Sequence, residues 1–461
     1  MTTERVSGSY RDPSGFLFRD GDRLYRAVSH GFRAQYDKMM ACGFYAEAVE
    51  QGLLIPHQEV PEGSQPGDAR PYKVLQPEQV PFISYPYEWS FSQLKDAALL
   101  TLALQTLALK YDLWLKDASA YNVQFLRGRP IFIDTLSFEP YPEGSPWVAY
   151  RQFCTHFLGP LSLVAYVDPA LLKLLRTNID GIPLELTSRL LPVGTRFRPS
   201  LLMNIHMHGR AERKHSGNRD SAKKARTVKI SRSGMQGIIH SLKSATEALQ
   251  WEPEGTEWGN YYDETNYSEA ARDHKAEVIC SILEGTRPGS VADLGGNTGF
   301  FSRLASDRGI PTLSLDVDPA AVEKSYLTVR EKQERYLLPL VQDLTNPTPG
   351  IGWNGDERMS LFERTSVDLG FALAIVHHLA IGNNVPLDRV AALMRRLCRH
   401  LIIEFVPKSD SQVQRLLASR EDVFPDYTND GFEAAFSRYF TIGSKTKIRG
   451  SERTLFCLEG R

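Results

Sequence analysis

Val291–Phe301 reads VADLGGNTGFF, and the organisation of the chain follows from it. Small apolar residues run into Asp293. Gly295, Gly296 and Gly299 follow closely, and a helical pattern opens at Phe300. This is a strand, a glycine-rich turn and a helix start. Glycine lets a backbone take positive φ and approach a ligand closely. The free N–H groups of a helix start favour a carboxylate or phosphate. The spacing lacks the G-x-G-x-x-G of dinucleotide binders, so the turn needs its neighbours to be read.

Those neighbours come in order. TLSLDVDP (312–319) is a second strand reaching Asp316, about twenty residues after the turn, where an acid can accept two ribose hydroxyls. LLPLVQDLTN (337–346) is a third, ending at Asp343 and Leu344, placed for an adenine amino group. SVDLGFALAIVHHL (366–379) is a fourth, running into a loop with His377 and His378. HLIIEF (400–405) is a fifth, with Glu404 near its end. Short strands alternating with helical patterns predict an α/β fold with a parallel sheet and crossover helices. The tail FTIGSKTKIRGSERTLFCLE (440–459) reads as a hairpin.

As a set, these segments resemble class I S-adenosylmethionine-dependent methyltransferases over residues 251–461. The resemblance implies a Rossmann-like sheet of roughly seven strands. It implies S-adenosylmethionine as cofactor, with Gly295, Gly296 and Gly299 under its methionine and ribose parts. Asp293 would organise that loop, Asp316 bind the ribose, and Asp343 with Leu344 clasp the adenine. Taken singly, each aspartate fits a helix cap or turn equally well. Methyl transfer mainly needs a nucleophile aligned with an activated methyl group, and a hydroxyl nucleophile gains from a general base. His377, His378 and Glu404 are the candidates, since open α/β sheets bind ligands at the carboxyl ends of strands. The alternative for the histidines is one packed under the adenine and one capping the next helix. Trp258, Tyr261, Tyr262 and Tyr267 would close over the cofactor or pack a preceding helix.

The first half has a different grammar. GFLFRDGDRLYRAV (15–28) reads as a hairpin about Asp20-Gly21-Asp22, followed by a helical stretch over 31–52. YKVL and VPFISYPY read as strands, SYPYEW as a hinge, and 92–111 as a helix with a broad apolar face. NVQFLRGRPIFID is a second hairpin, turning at Arg127-Gly128-Arg129. Asp117 lies five residues before Asn122, and Asp134 twelve after it. Such a trio can place one carboxylate beside an attacking hydroxyl and two oxygens on magnesium. It resembles the catalytic loop and metal-binding aspartate of kinase-like folds. That implies an α+β kinase-like domain over 1–205, with Asn122 and Asp134 as metal ligands, Asp117 as the phosphotransfer residue and Mg-ATP as its cofactor. The departures are plain: Leu115 stands for the usual His, DTL for DFG, and Arg26 for the ATP-pairing Lys. No glycine-rich phosphate loop is visible. Glu47 or Glu50 would pair with Arg26.

Residues 206–250 read as a basic linker. From His208 to Gly234 there are nine Lys or Arg against Glu212 and Asp220, with little to bury. Without interleaved aromatics this does not favour nucleic acid. The chain of 461 residues carries 54 basic and 55 acidic side chains, a formal net charge of −1, so no global field selects a polyanion. Five scattered cysteines, no signal-peptide pattern and no long apolar run fit a cytoplasmic protein without a membrane span. The chain as a whole resembles bacterial nodulation-type methyltransferases. The expected function is methylation of a small molecule or glycan, with the first half recruiting substrate or regulating. The alternatives are an ATP-dependent small-molecule phosphotransferase and a non-catalytic cofactor-binding protein.

Overall fold

The computed structural model describes residues 4–60, 70–210, 229–254, 269–418 and 421–461. Two compact units emerge. The first comprises Met1–Leu126, Pro130–Glu252 and the short segment Ile351–Arg358. The second comprises Arg127–Arg129, Pro253–Gly350 and Met359–Arg461.

The first unit opens with strands β1 (Glu4–Arg5), β2 (Gly15–Asp20), β3 (Arg23–Val28), β4 (His57–Val60) and β5 (Lys73–Pro77), in an antiparallel sheet ordered β1-β2-β3-β5-β4. Alternating apolar residues make β2 and β3 a hairpin, and the Phe18 and Tyr25 rings stack at 5.3 Å inside it. The helical stretch after β3 is two helices, α1 (Arg33–Ala41) and α2 (Phe44–Glu50). They break at Gly43, whose φ of 91° a side chain would resist.

Helix α3 (Phe91–Lys110) starts in a capping box between Ser90 and Gln93, and its apolar residues are buried along its length. VPFISYPY does not form the expected strand. Its extended backbone at Ser84 is held by the Gln124 side-chain amide, which accepts the Ser84 N–H at 2.9 Å and donates to its C=O at 2.9 Å. A side chain has replaced the neighbouring strand.

Strands β6 (Leu113–Leu115) and β9 (Phe138–Pro140) pair, and β7 (Val123–Leu126) and β8 (Arg129–Phe132) form the second hairpin, with Arg127 and Gly128 at positive φ in its turn. Residues 232–247, expected as linker, are helix α4 (Arg232–Glu247), capped by Ser231. It buries Met235, Ile239 and Leu242 and packs on α3. Its amphipathic spacing outweighed the polarity of the residues before it. Arg213, Lys214, Arg219, Lys223, Lys224 and Arg226 lie outside the described residues, as do Trp258, Tyr261, Tyr262 and Tyr267.

The second unit follows the alternating pattern. Strands β10 (Val291–Leu294), β11 (Thr312–Asp316), β12 (Leu337–Val341), β13 (Val367–Ala372), β14 (Cys398–Phe405), β15 (Phe440–Lys447) and β16 (Thr454–Gly460) form one sheet, ordered β12-β11-β10-β13-β14-β16-β15. The first five in that order are parallel; β16 runs antiparallel between β14 and β15. Helices α5 (Glu269–Thr286), α6 (Phe300–Ser306), α7 (Pro319–Lys332) and α8 (Leu387–Leu397) accompany the strands. Strands buried on both faces explain their unbroken apolar runs. The reversal of strand order between β10 and β13 opens a crevice at their carboxyl ends.

Candidate functional site

At that crevice β10 delivers Asp293, β11 delivers Asp316, and the loop 295–299 lies between them. Two N–H groups, from Gly295 and Gly296, donate to the Leu315 carbonyl at 2.8 and 3.0 Å. Asp316 Oδ2 accepts the Asn297 N–H at 2.8 Å, and its Oδ1 accepts that of Asp318 at 2.9 Å. Asp293 Oδ2 accepts from Ser302 Oγ at 2.6 Å, and the Ser302 and Ser314 hydroxyls lie 3.1 Å apart. The glycines answer to this packing. A Cβ on Gly296 would collide with Ser314 Oγ, and one on Gly295 would sit 3.0 Å from the Ile375 side chain. Gly299, at φ 84°, caps α6. The missing Cβ of Gly295 faces Ile375.

Burial pushes the carboxyl of Asp293 up to about 6; Asp316 adds to the rise while the Ser302 hydrogen bond and Lys275 oppose it. Burial likewise raises Asp316 to about 6, against the pull of the Asp318 and Asn297 N–H groups. Two acids thus share a dry site, held near the point where a hydrogen-bonding or cationic ligand would ionise them fully.

Asp343, after β12, is half-buried. Its Oδ1 accepts the N–H and the hydroxyl of Thr345 at 2.8 and 2.6 Å, an Asx-type turn. Leu344 beside it is buried.

After β13 the backbone turns sharply, with Ala374 at φ 53°. His377 and His378 then stand 4.1 Å apart, ring to ring. His377 is 1% exposed, and among the described residues its Nδ1 has no hydrogen-bond partner. Burial holds it well below the usual histidine range, assisted by His378 and Arg453. Burial and Arg453 bring His378 down to about 4. Both rings are neutral at physiological pH.

Glu404, at the end of β14, is fully buried. Lys275 of α5 donates to its Oε2 at 2.7 Å, and Arg453 Nη1 lies 3.6 Å from its Oε1. Arg453 continues to Asp410 at 2.8 and 3.2 Å. A buried chain of alternating charge, Lys275–Glu404–Arg453–Asp410, therefore runs beside the histidines. Lys275 and Arg453 escaped the sequence reading. Lys275 did leave a trace: it occupies the buried stripe Ala271, Lys275, Ile279, Leu283, where a lysine needs a buried partner. Arg453 left none, because its partners are distant in sequence.

In the first unit, Asn122 Nδ2 lies 3.5 Å from the Asp117 carbonyl. Asp117 accepts from Gln152 Nε2 at 2.7 Å and from the Ser119 N–H at 3.0 Å. Burial raises its pKa, and the charge of Asp134 raises it further. Asp134 caps the turn Thr135–Ser137 and pairs with Arg26 at 2.8 Å; the same guanidinium meets Asp12 at 2.5 Å. Arg26 does not take Glu47, which binds Lys110 at 2.7 Å and the Tyr111 hydroxyl, nor is a contact to exposed Glu50 present. Among the described residues no group of three His, Cys, Asp or Glu is arranged to hold a metal.

Known proteins agree in part with this picture. Nodulation protein NoeA of Rhizobium meliloti (strain 1021) is 35% identical over 459 residues, covering 99% of this chain and 96% of that one. The chain belongs to the NoeA family. No family model matches it. Among solved structures, magnesium protoporphyrin IX methyltransferase (ChlM) from Synechocystis PCC 6803, with bound SAH, is 16% identical with a TM-score of 0.30, over 41% of this chain and 84% of that one. The bifunctional kinase-methyltransferase WbdD is 15% identical with a TM-score of 0.30, over 46% of this chain and 45% of that one. The strand order of the NoeA-family chain, rather than these scores, makes its second unit a class I S-adenosylmethionine-dependent methyltransferase fold.

Proposed function

We propose that the second unit transfers a methyl group from S-adenosylmethionine to a small molecule or glycan, and that the first unit recruits substrate or regulates. The observation that carries this is the buried pair Asp293 and Asp316 at the strand ends of a seven-stranded sheet, with the loop 295–299 threaded between them. These acceptors fit the cofactor: Asp316 would accept ribose hydroxyls, Asp293 the ammonium side, and Asp343 with Leu344 would flank the adenine. Bound there, the cofactor supplies an activated methyl group. The chain's own residues bind, orient and exclude water. His377, whose Nδ1 has no partner among the described residues, would orient an acceptor hydroxyl; burial lowers its basicity, so positioning counts for more than proton uptake. Both oxygens of Glu404 face cations, which argues against its acting as the base. The relative's name, a nodulation protein, supports a glycan or secreted-metabolite acceptor.

A second reading, phosphotransfer by the first unit, draws on the closeness of Asp117 and Asp134. Arg26 opposes it: its guanidinium already neutralises Asp134, where magnesium would be needed. Purified protein, methyl-labelled cofactor and cell extract give the test. Label should enter one acceptor with the wild type and not with Asp316→Ala. Label in no acceptor pool, with the cofactor still bound, would favour a non-catalytic protein. ATP-dependent phosphorylation abolished by Asp117→Asn would establish the second reading.

A further inference from the structure

The first unit carries an apolar surface that the methyl-transfer reading does not use. Phe197 is 84% exposed, Val193 64%, Met203 59% and Met207 55%, with Leu190 at 38%. They belong to three short consecutive elements: the helix Leu184–Leu190, the turn Val193–Phe197 and the π-helical segment Leu202–Met207. These elements are tied together from beneath. Buried His206 holds Ser188 Oγ through Nδ1 at 2.8 Å and Thr195 Oγ1 through Nε2 at 2.9 Å, with Leu191, Leu201 and Ile205 buried around it. The exposed side chains therefore stand on a packed base.

Their charge setting is one-sided. From Leu184 to Arg210 the sequence holds four arginines, Arg189, Arg196, Arg198 and Arg210, against one acid, Glu185. All four are exposed. The chain as a whole carries a net charge of −1. Exposed apolar side chains interspersed in sequence with exposed arginines are what an anionic lipid surface recognises: the tips enter the acyl boundary and the guanidinium groups meet headgroup phosphates. A second copy fits poorly, because a two-fold contact would set the arginines against themselves. Nucleic acid fits poorly too, since Phe197 is the one aromatic among the exposed tips and single strands are gripped by several. No described helix is long and apolar enough to cross a membrane, and surface attachment needs none.

We propose that the face bearing Val193, Phe197, Met203 and Met207 docks the protein reversibly on an anionic lipid surface. The proposal is independent of methyl transfer. It is tested by flotation of the full chain with vesicles of phosphatidylcholine alone and of phosphatidylcholine mixed with phosphatidylglycerol. Binding is expected to the mixed vesicles, and to weaken steeply with salt. The double variant Val193→Ser, Phe197→Ser should lose at least about ten-fold in binding, and Arg196→Ala, Arg198→Ala several-fold, with unchanged melting temperatures. No binding to mixed vesicles, or binding indifferent to both double variants, overturns it. So does a wild type that self-associates where the Val193–Phe197 variant is monomeric and neither binds lipid. Binding to an oligonucleotide but not to vesicles overturns it as well.

Discussion

Asp316 Oδ2 and the backbone N–H of Asn297 are 2.8 Å apart, a bond from the end of one strand to the loop that leaves its neighbour. Asn297 sits at φ 47°, so this carboxylate holds the loop in a conformation that few residues adopt freely. Loop shape and the proposed ribose contact therefore fall on the same side chain.

Replacement of Asp316 tests both roles. Asp316→Ala should weaken S-adenosylmethionine binding by about 1–3 kcal/mol, the scale of buried polar groups left unpaired. Isothermal calorimetry on a mutant shown to be folded measures it. Unchanged affinity would remove the ribose assignment. Gly295→Val should cost more, since a branched side chain at positive φ would also press on Ile375.

The same carboxylate predicts a pH dependence. Burial raises Asp316 and Asp293 to about 6, above the roughly 3.9 of an unfolded aspartate. A raised acid stabilises the fold below its unfolded value, and that contribution fades as pH rises through the folded value. The unliganded protein should thus lose stability from these two groups between about pH 4 and 6. A ligand donating hydroxyl hydrogens prefers the ionised form. Cofactor affinity should accordingly climb as pH rises through about 6 and then level off. In Asp316→Asn the climb should shrink to the part due to Asp293.

The paired histidines behave in the opposite sense. Their folded values lie below the roughly 6.5 of a free histidine, with His378 at about 4 and His377 lowered as well. Stability tied to the neutral rings is lost as pH falls from about 6.5 towards 4. The double variant His377→Gln, His378→Gln should lose less over that range, read as melting temperature against pH. As base, His377 predicts a further result: His377→Gln should lower turnover roughly 10²–10⁴-fold with cofactor affinity kept. Full activity would leave alignment alone as the mechanism.

Lys275→Met should be among the more damaging changes in the second unit. It removes the 2.7 Å partner of the fully buried Glu404 carboxylate, whose Arg453 contact is longer. Removing one partner of a buried pair typically costs about 3–5 kcal/mol. Urea unfolding should show a loss of that order, and Lys275→Met with Glu404→Gln should regain part of it. Equal losses in the single and double variants would mean that the pair is not coupled.

The sequence revealed the second unit's sheet because each strand is an unbroken apolar run ended by a polar or glycine signal, as at Asp293 and Asp316. It revealed less of the site. Asp293, Asp316 and the histidine pair lie at strand ends and could be located by spacing. The Lys275–Glu404–Arg453–Asp410 chain could not, because it joins α5, β14 and the turn before β16 across more than a hundred residues. In the first unit the Phe16–Phe18 alternation announced a hairpin, but the partner of Ser84 is a side chain, Gln124, and no periodicity encodes that. The helix at Arg232–Glu247 was concealed by the basic residues preceding it.

Strand β16 is hydrogen-bonded on both sides, to β14 and to β15, yet it is made after both. A growing chain reaches β14 roughly fifty residues before it can supply β16, an interval of several seconds at about 5–20 residues per second. Throughout that time the edge of HLIIEF is open, and so is the face on which Glu404 waits for Arg453. Biosynthesis thus passes through a stage in which an apolar strand edge is open and Glu404 has Lys275 but not yet Arg453.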